Sequence, residues 1–169
     1  MKLFLIGLLG SGKSVLGKEL SGLMNLPFID LDHAIEVKEG AKVSEVFSAK
    51  GEAHFRKIEA AALRDQSNQK EFVMATGGGT PCFHDNMKFI NEAGTSVFLD
   101  TPISEIVKRL KGEQLRSRPL LANVREGQLP DALATMHDAR IKFYEQADIR
   151  VTGASITAKD ILDILKARM

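Results

Sequence analysis

The eight residues GLLGSGKS, Gly7 to Ser14, stand directly behind the apolar opening MKLFLI. The pair reads either as the core of an export signal or as a buried strand feeding a phosphate-holding loop. Lys2 and the run from Leu3 to Leu9 supply the first half of a signal. The second half is missing, because a small-residue cleavage site should follow and Lys13, Lys18 and Glu19 follow instead. The loop reading meets every fixed position of G-x-x-x-x-G-K-[S/T], with Gly7, Gly12, Lys13 and Ser14 in place. In such a loop the glycines let successive backbone N–H groups turn toward phosphate oxygens, the lysine reaches the terminal phosphates, and the hydroxyl ligates Mg²⁺. A helix starting there points its positive end at the same anion.

The rest of the chain supports a strand before the loop and a helix after it. Short β-rich runs recur: LFLI (3–6), FID (28–30), FVMAT (72–76), SVFLD (96–100) and IRV near Ile149. Between them, apolar residues repeat at helical spacing: Leu16, Leu20, Leu23 and Met24; Phe55, Ile58, Ala62 and Leu63; Ile103, Ile106, Val107 and Leu110. Each stripe is expected to face a core. Alternation of this kind is the pattern of a parallel sheet covered by helices. Thr101 followed by Pro102 suits a helix cap and first helical position, and Thr157 with Asp160 suits a capping box. The segment from Gly112 to Gln128 resists assignment, carries Arg116, Arg118 and Arg125, and is expected to be a mobile lid.

Composition limits the partners. The 169 residues, 44% hydrophobic, suit one domain over 1–169. With 23 basic and 22 acidic side chains the net charge is +1, which gives no general attraction to nucleic acid or to a membrane surface. Any anion must be held locally. The single Cys82 forms no internal disulfide and suits a reducing compartment, and the four histidines lack zinc-site spacing. A cytoplasmic monomer without nucleic-acid or membrane partners is expected.

Two acids, Asp30 and Asp32, alternate at the end of the second strand; if the extended backbone persists, both carboxylates face one side. One could help hold magnesium while the other takes a proton from an attacking hydroxyl, or both could be turn and cap residues. TGGGT (76–80) offers a surface without side chains where a ligand can approach backbone N–H groups. The third strand ends without an aspartate, so Asp30 or Asp32 must supply the acid that a phosphate loop uses. Leu129, Leu133, Met136, Arg140 and Tyr144 share one helix face, which puts an arginine among apolar residues. Such a guanidinium must snorkel, pair with an internal acid, or meet an anionic ligand, and an internal pair is the first expectation. Arg56, beside Phe55 and Ile58, raises the same question. Two arginines with Asp32 would suit a small polyhydroxylated carboxylate.

GLLGSGKS, FIDLD, GEAHFRKIE, TGGG, RPLL and RIKFYEQAD, in this order, resemble the motifs of the bacterial shikimate kinases from the first strand to about Asp148. The resemblance implies a three-layer α/β/α P-loop NTPase fold with a five-stranded parallel sheet, and ATP-dependent phosphorylation of the 3-hydroxyl of shikimate. It further implies that Gly10, Ser11, Gly12, Lys13 and Ser14 cradle ATP, with Ser14 and Asp30 at Mg²⁺. Asp32 would meet the shikimate hydroxyls and act as base. Arg56 and Arg140 would clamp the carboxylate, Gly78 and Gly79 would contact the ring hydroxyls, and Phe47 and Phe55 would wall the pocket. Arg118, at the head of RPLL, would meet the transferring phosphate. Ser14 stands where the family usually has threonine, and the adenine-stacking position falls on Arg109 or Lys111, with Arg109 preferred. The competing readings are a gluconate or nucleoside-monophosphate kinase, or a nucleotide-gated binding protein. The last is disfavoured for GTP by the lack of an N-K-x-D stretch.

Overall fold

The computed structural model describes residues 1–168. Five strands, β1 (Lys2–Ile6), β2 (Phe28–Asp30), β3 (Phe72–Ala75), β4 (Thr95–Asp100) and β5 (Ile149–Thr152), form one sheet in the order β2-β3-β1-β4-β5. All pairings are parallel, with Leu3 of β1 opposite Val73 on one side and Thr95 on the other. A parallel sheet must be covered on both faces, and β1 carries apolar residues for both. Phe4 and Ile6 enter one buried cluster, whereas Leu3 and Leu5 enter the other.

The second cluster is closed by helices α1 (Lys13–Met24) and α8 (Ala158–Ala167), through Leu16, Leu20, Ala158, Ile161 and Leu165. The first is closed by α2 (Leu31–Glu39), α3 (Val43–Gln66, broken at Gly51), α4 (Asn86–Ala93), α5 (Ile103–Arg109) and α7 (Leu129–Tyr144). The result is the expected three-layer α/β/α P-loop architecture. From β1 the chain crosses past β3 to β2, and it then winds back the other way through β3 and past β1 to β4, so the direction of winding reverses beside β1. The crevice at that switch, beyond the carboxyl ends of β1 and β3, is where open α/β sheets bind ligands.

Several local expectations require correction. Leu23 is 57% exposed, because the buried stripe of α1 runs through Lys13, Gly17, Leu20 and Ser21 and leaves Leu23 at its margin in the last turn. Thr101 does not cap α5. Pro102 is the N-cap, extended at φ −55° and ψ 141°, while the Thr101 hydroxyl donates to the Ser11 carbonyl at 3.3 Å. The extended backbone ends at Asp30, so Asp30 and Asp32 do not share a strand face. Asp30 caps α2 by accepting from the His33 N–H at 3.2 Å, and Asp32 stands in the first helical turn. The segment 112–128 is not a structureless loop: it contains α6 (Glu113–Arg116) and a 3₁₀ turn (Glu126–Gln128), with Leu115 and Leu121 buried. The Thr157 capping box forms as expected, with its hydroxyl accepting from the Asp160 N–H.

Among the described residues, no helix is long and apolar enough to cross a membrane. No group of three or more His, Cys, Asp or Glu side chains could hold a metal there either.

Candidate active site

The loop between β1 and α1 is built for an anion. Gly10 and Gly12 take φ of +76° and +92°, a region that glycine alone enters freely. Helix α1 has no side chain capping its start and no acid in its first turn, so its leading N–H groups keep their capacity to bind a ligand. The other two helices near or beyond the sheet with side-chain caps, α2 and α8, use their own aspartate or threonine. Lys13 is buried, and its ammonium donates to the carbonyls of Gly7 (2.8 Å) and Leu8 (2.9 Å). Burial and the nearby Arg118 bring its pKa down to about 7.

Beside the loop, the Ser14 hydroxyl donates to Asp30 Oδ2 at 2.7 Å. Asp30 thus serves α2 with one oxygen and Ser14 with the other. A hydroxyl and a carboxylate are the hard oxygen donors that Mg²⁺ takes, and they are adjacent at the phosphate loop. The donor set fits the ion. Thr76, at the end of β3, is no acid and gives its hydroxyl to the Leu5 carbonyl. Arg109 lines the same cavity of about 480 Å³ as Gly10, Gly12, Lys13 and Ser14. Its guanidinium donates to the carbonyls of Ala154 (3.0 Å) and Gly10 (3.4 Å), whereas Lys111 is exposed and does not line the cavity.

A second cavity of about 490 Å³ adjoins the first and shares Asp32, Gly77, Gly78 and Arg118 with it. Arg56, Arg140, Phe47, Phe55 and Gly79 line it. The two arginines that the sequence left unexplained therefore meet, each against one glycine of TGGG. A Cβ on Gly78 would lie 3.2 Å from Arg140 Nη1, and one on Gly79 would lie 2.5 Å from Arg56 Nη2. The bare backbone is what admits both guanidinium groups.

The partners of the two arginines differ. Arg56 donates to Glu59 Oε1 at 2.9 Å and to Glu52 Oε1 at 3.3 Å. Arg140 is only 8% exposed and makes no ion pair among the described residues, contrary to the expectation of an internal acid. A buried cation without a counter-ion at a cavity wall is costly and is relieved by an anionic ligand. Arg118 adds to this demand: its Nε is buried without a partner, and burial pushes its pKa down. Arg116 and Arg125 line neither cavity, so one of the three arginines of the 112–128 segment reaches the site.

Asp32 sits between the cavities. Burial, reinforced by the carboxylates of Glu59 and Asp30, lifts its pKa to about 6. The positive end of α2, a favourable effect of about 0.3–1 kcal/mol for an anion, is outweighed. Its half-buried carboxylate is thus poised to exchange a proton near neutral pH.

Some members of the site were not singled out in the sequence. Glu59 is 1% exposed and holds Arg56 with one oxygen and the Thr80 hydroxyl (2.9 Å) with the other. Its spacing of three from Arg56 on a helix was the available signal. Tyr144 is fully buried, and its hydroxyl donates to the Gly78 carbonyl at 2.5 Å. Burial raises its pKa, so it remains a donor. It joins the glycine loop to the helix that carries Arg140.

The chain is similar to known proteins in both sequence and fold. The family model described as Shikimate kinase matches residues 9–168. A shikimate kinase of Parabacteroides distasonis is 38% identical over 169 residues, 99% of this chain and 97% of the relative. The crystal structure of shikimate kinase from Bacteroides thetaiotaomicron superposes with a TM-score of 0.91 at 34% identity, covering 98% of each chain. Shikimate kinase from Acinetobacter baumannii in complex with shikimate gives 0.90 at 31% identity, covering 99% of this chain and 92% of the other. With a matched family model across nearly its whole length and relatives alike in both sequence and fold, this chain belongs to the shikimate kinase family.

Proposed function

We propose that this chain is an ATP-dependent shikimate kinase that transfers the γ-phosphoryl group to the 3-hydroxyl of shikimate, with residues 1–169 acting as one kinase domain and 112–128 as its lid. The observation that carries the reading is the shared wall of the two cavities. Two arginines, an acid of raised pKa and a side-chain-free glycine loop open directly onto a phosphate loop.

In this reading the N–H groups of Gly10, Ser11 and Gly12 and the start of α1 cradle the phosphates of ATP. Lys13 leaves the Gly7 and Leu8 carbonyls to donate to them. Ser14 and Asp30 would hold Mg²⁺, which would supply positive charge to offset that of the nucleotide phosphates. Arg109 flanks the adenine. Arg56 and Arg140 fix the shikimate carboxylate by charge-assisted hydrogen bonds, and the backbone of Gly78 and Gly79 meets the ring hydroxyls. Asp32 accepts the proton of the 3-hydroxyl as it attacks in line. Arg118 and Lys13 stabilise the negative charge on the transferring group. A cytoplasmic monomer completes the proposal, supported by the lone Cys82 and the local character of the charge.

A coupled ADP-release assay across shikimate, gluconate and nucleoside monophosphates tests the assignment. ADP release is expected with shikimate; release with another acceptor and none with shikimate contradicts it. Arg140→Ala is expected to weaken shikimate binding by about 2–5 kcal/mol, since truncation removes one fork of a buried charge pair. Titration calorimetry should find ATP-analogue affinity little changed, and an unchanged shikimate affinity would remove Arg140 from the clamp.

Lys13 makes nucleotide binding pH-dependent. With a free-state pKa of about 7, it must take up a proton to meet phosphate whenever the pH exceeds that value. The Kd of a non-hydrolysable ATP analogue is therefore expected to rise with pH between 7 and 8.5. In Lys13→Arg, which stays charged, that slope should vanish, and a flat wild-type profile contradicts the proton uptake.

A further inference from the structure

Arg56 can present its fork to a carboxylate only if the plane of its guanidinium is fixed. Two of its edges are held, by Glu59 at Nη1 and by Glu52 at Nε and Nη2. These bonds leave the group free to tilt about them, so something must pack its faces. Gly79 packs against one at its Nη edge: a Cβ there would lie 2.5, 2.7 and 2.7 Å from Nη2, Cζ and Nη1. The ring of Phe83 is the nearest aromatic, with its centroid 4.4 Å from Cζ, compared with 5.3 Å for Phe55.

The chain around Phe83 is held at some cost. His84 and Asp85 both take positive φ, 51° and 55°, although neither is glycine. The Asn86 N–H closes the turn on the Phe83 carbonyl at 2.9 Å, the pattern of a type I′ turn. Strained backbone of this kind persists only where the surroundings over-determine it. Here Arg64 donates to the His84 carbonyl (3.1 Å) and to Asn86 Oδ1 (2.8 Å). The fully buried Asn86 donates in turn to the Thr80 carbonyl at 2.8 Å, and Thr80 holds Glu59. The turn and the acid partner of Arg56 thus belong to one network. Phe83 itself is half-buried, lies outside both buried clusters and does not line the substrate cavity.

We propose that Phe83 is a positioning residue for carboxylate recognition, acting through Arg56: its ring holds the guanidinium plane in place beside Gly79. Phe83 touches no substrate. The inference rests on the reading of Arg56 as half of the carboxylate clamp, and it adds a residue outside the cavity that sets how well the clamp is oriented.

The test is titration of shikimate and of a non-hydrolysable ATP analogue against Phe83→Leu and Phe83→Met, which keep apolar bulk and remove the ring face. A cation–π contact of this type corresponds to about a 3- to 30-fold rise in shikimate Kd, with ATP-analogue Kd unchanged. Phe83→Tyr, which retains the ring, should bind like the parent. In an Arg56→Met background, Phe83→Leu should add no further loss, whereas a merely structural role would add the same loss there. Unchanged shikimate affinity in Phe83→Leu and Phe83→Met, or an equal loss without Arg56, overturns the inference while Arg56→Met still reports the clamp. Normal shikimate binding by Arg56→Met would overturn the clamp itself, and this inference with it.

Discussion

Arg118→Ala is expected to lower kcat by about 10³- to 10⁵-fold, equivalent to about 4–7 kcal/mol of transition-state stabilisation. The reason is that Arg118 is the one arginine of the 112–128 segment that lines both cavities, and its Nε is buried without an acceptor. A guanidinium whose Nε is shielded from water and lacks a partner gains most when charge develops on the transferring phosphoryl group, so the loss should fall on turnover. Shikimate affinity should change far less. Steady-state kinetics with single-turnover measurements separate the two, and a kcat within tenfold of the parent would remove Arg118 from the transition state. Leu115 and Leu121 anchor the segment in the core. Truncating Arg118 should therefore leave the attachment of this segment intact.

Asp32→Asn is expected to reduce kcat by about 10²- to 10⁴-fold, the usual contribution of a positioned general base. The parent should lose activity as pH falls through about 6, where Asp32 becomes protonated, and the variant should lack that limb. The same substitution should stabilise the fold at alkaline pH. The native pKa of about 6 lies above the 3.8 of an unperturbed aspartate, so the folded state favours the protonated form. That stabilisation is complete below 3.8 and is lost as pH rises through 6. At pH 8 the charged carboxylate is a burden that Asn lacks, worth about 1–3 kcal/mol after allowance for its partial exposure. Urea unfolding at pH 5 and pH 8 measures it. A parent and variant of equal stability at both pH values, with equal turnover, would remove Asp32 from the role of base.

The layers of the fold were legible because they rest on periodicity. All five strands fall within a residue or so of the β-rich runs, and the stripes at Leu16, Phe55, Ile106 and Ile161 do enter the core. What periodicity could not reveal was where hydroxyl and carboxylate groups would direct their bonds. Thr101 looked like a cap and instead ties β4 to the phosphate loop, and Asp30 ended a strand by capping the helix after it. The long segment at 112–128 hid two short helical turns because pieces of three or four residues carry too little pattern to register.

The site was legible through its motifs. The adjacent Lys13 and Ser14 lie far in sequence from Asp32, Arg56 and Arg140, yet parallel topology brings the ends of β1, β2 and β3 together beside α3 and α7. The residues that orient them were not. Glu59 carried one local signal, its spacing of three from Arg56, whereas Tyr144 and Phe83 act through contacts that depend on how helices and turns pack across the sheet edge, a relation no local spacing encodes. Arg140 was the instructive case: an arginine on an apolar face invited an internal acid, and the fold provides none among the described residues.

The claim on which the proposed chemistry turns is that one ring acid spans the two arginines while its hydroxyl faces the phosphate loop. A crystal structure with shikimate, Mg²⁺ and a non-hydrolysable ATP analogue measures this directly. The carboxylate is expected between Arg56 and Arg140 and the 3-hydroxyl about 3 Å from Asp32, in line with the terminal phosphate. A carboxylate bound away from both arginines, or a 3-hydroxyl turned from Asp32, would contradict it.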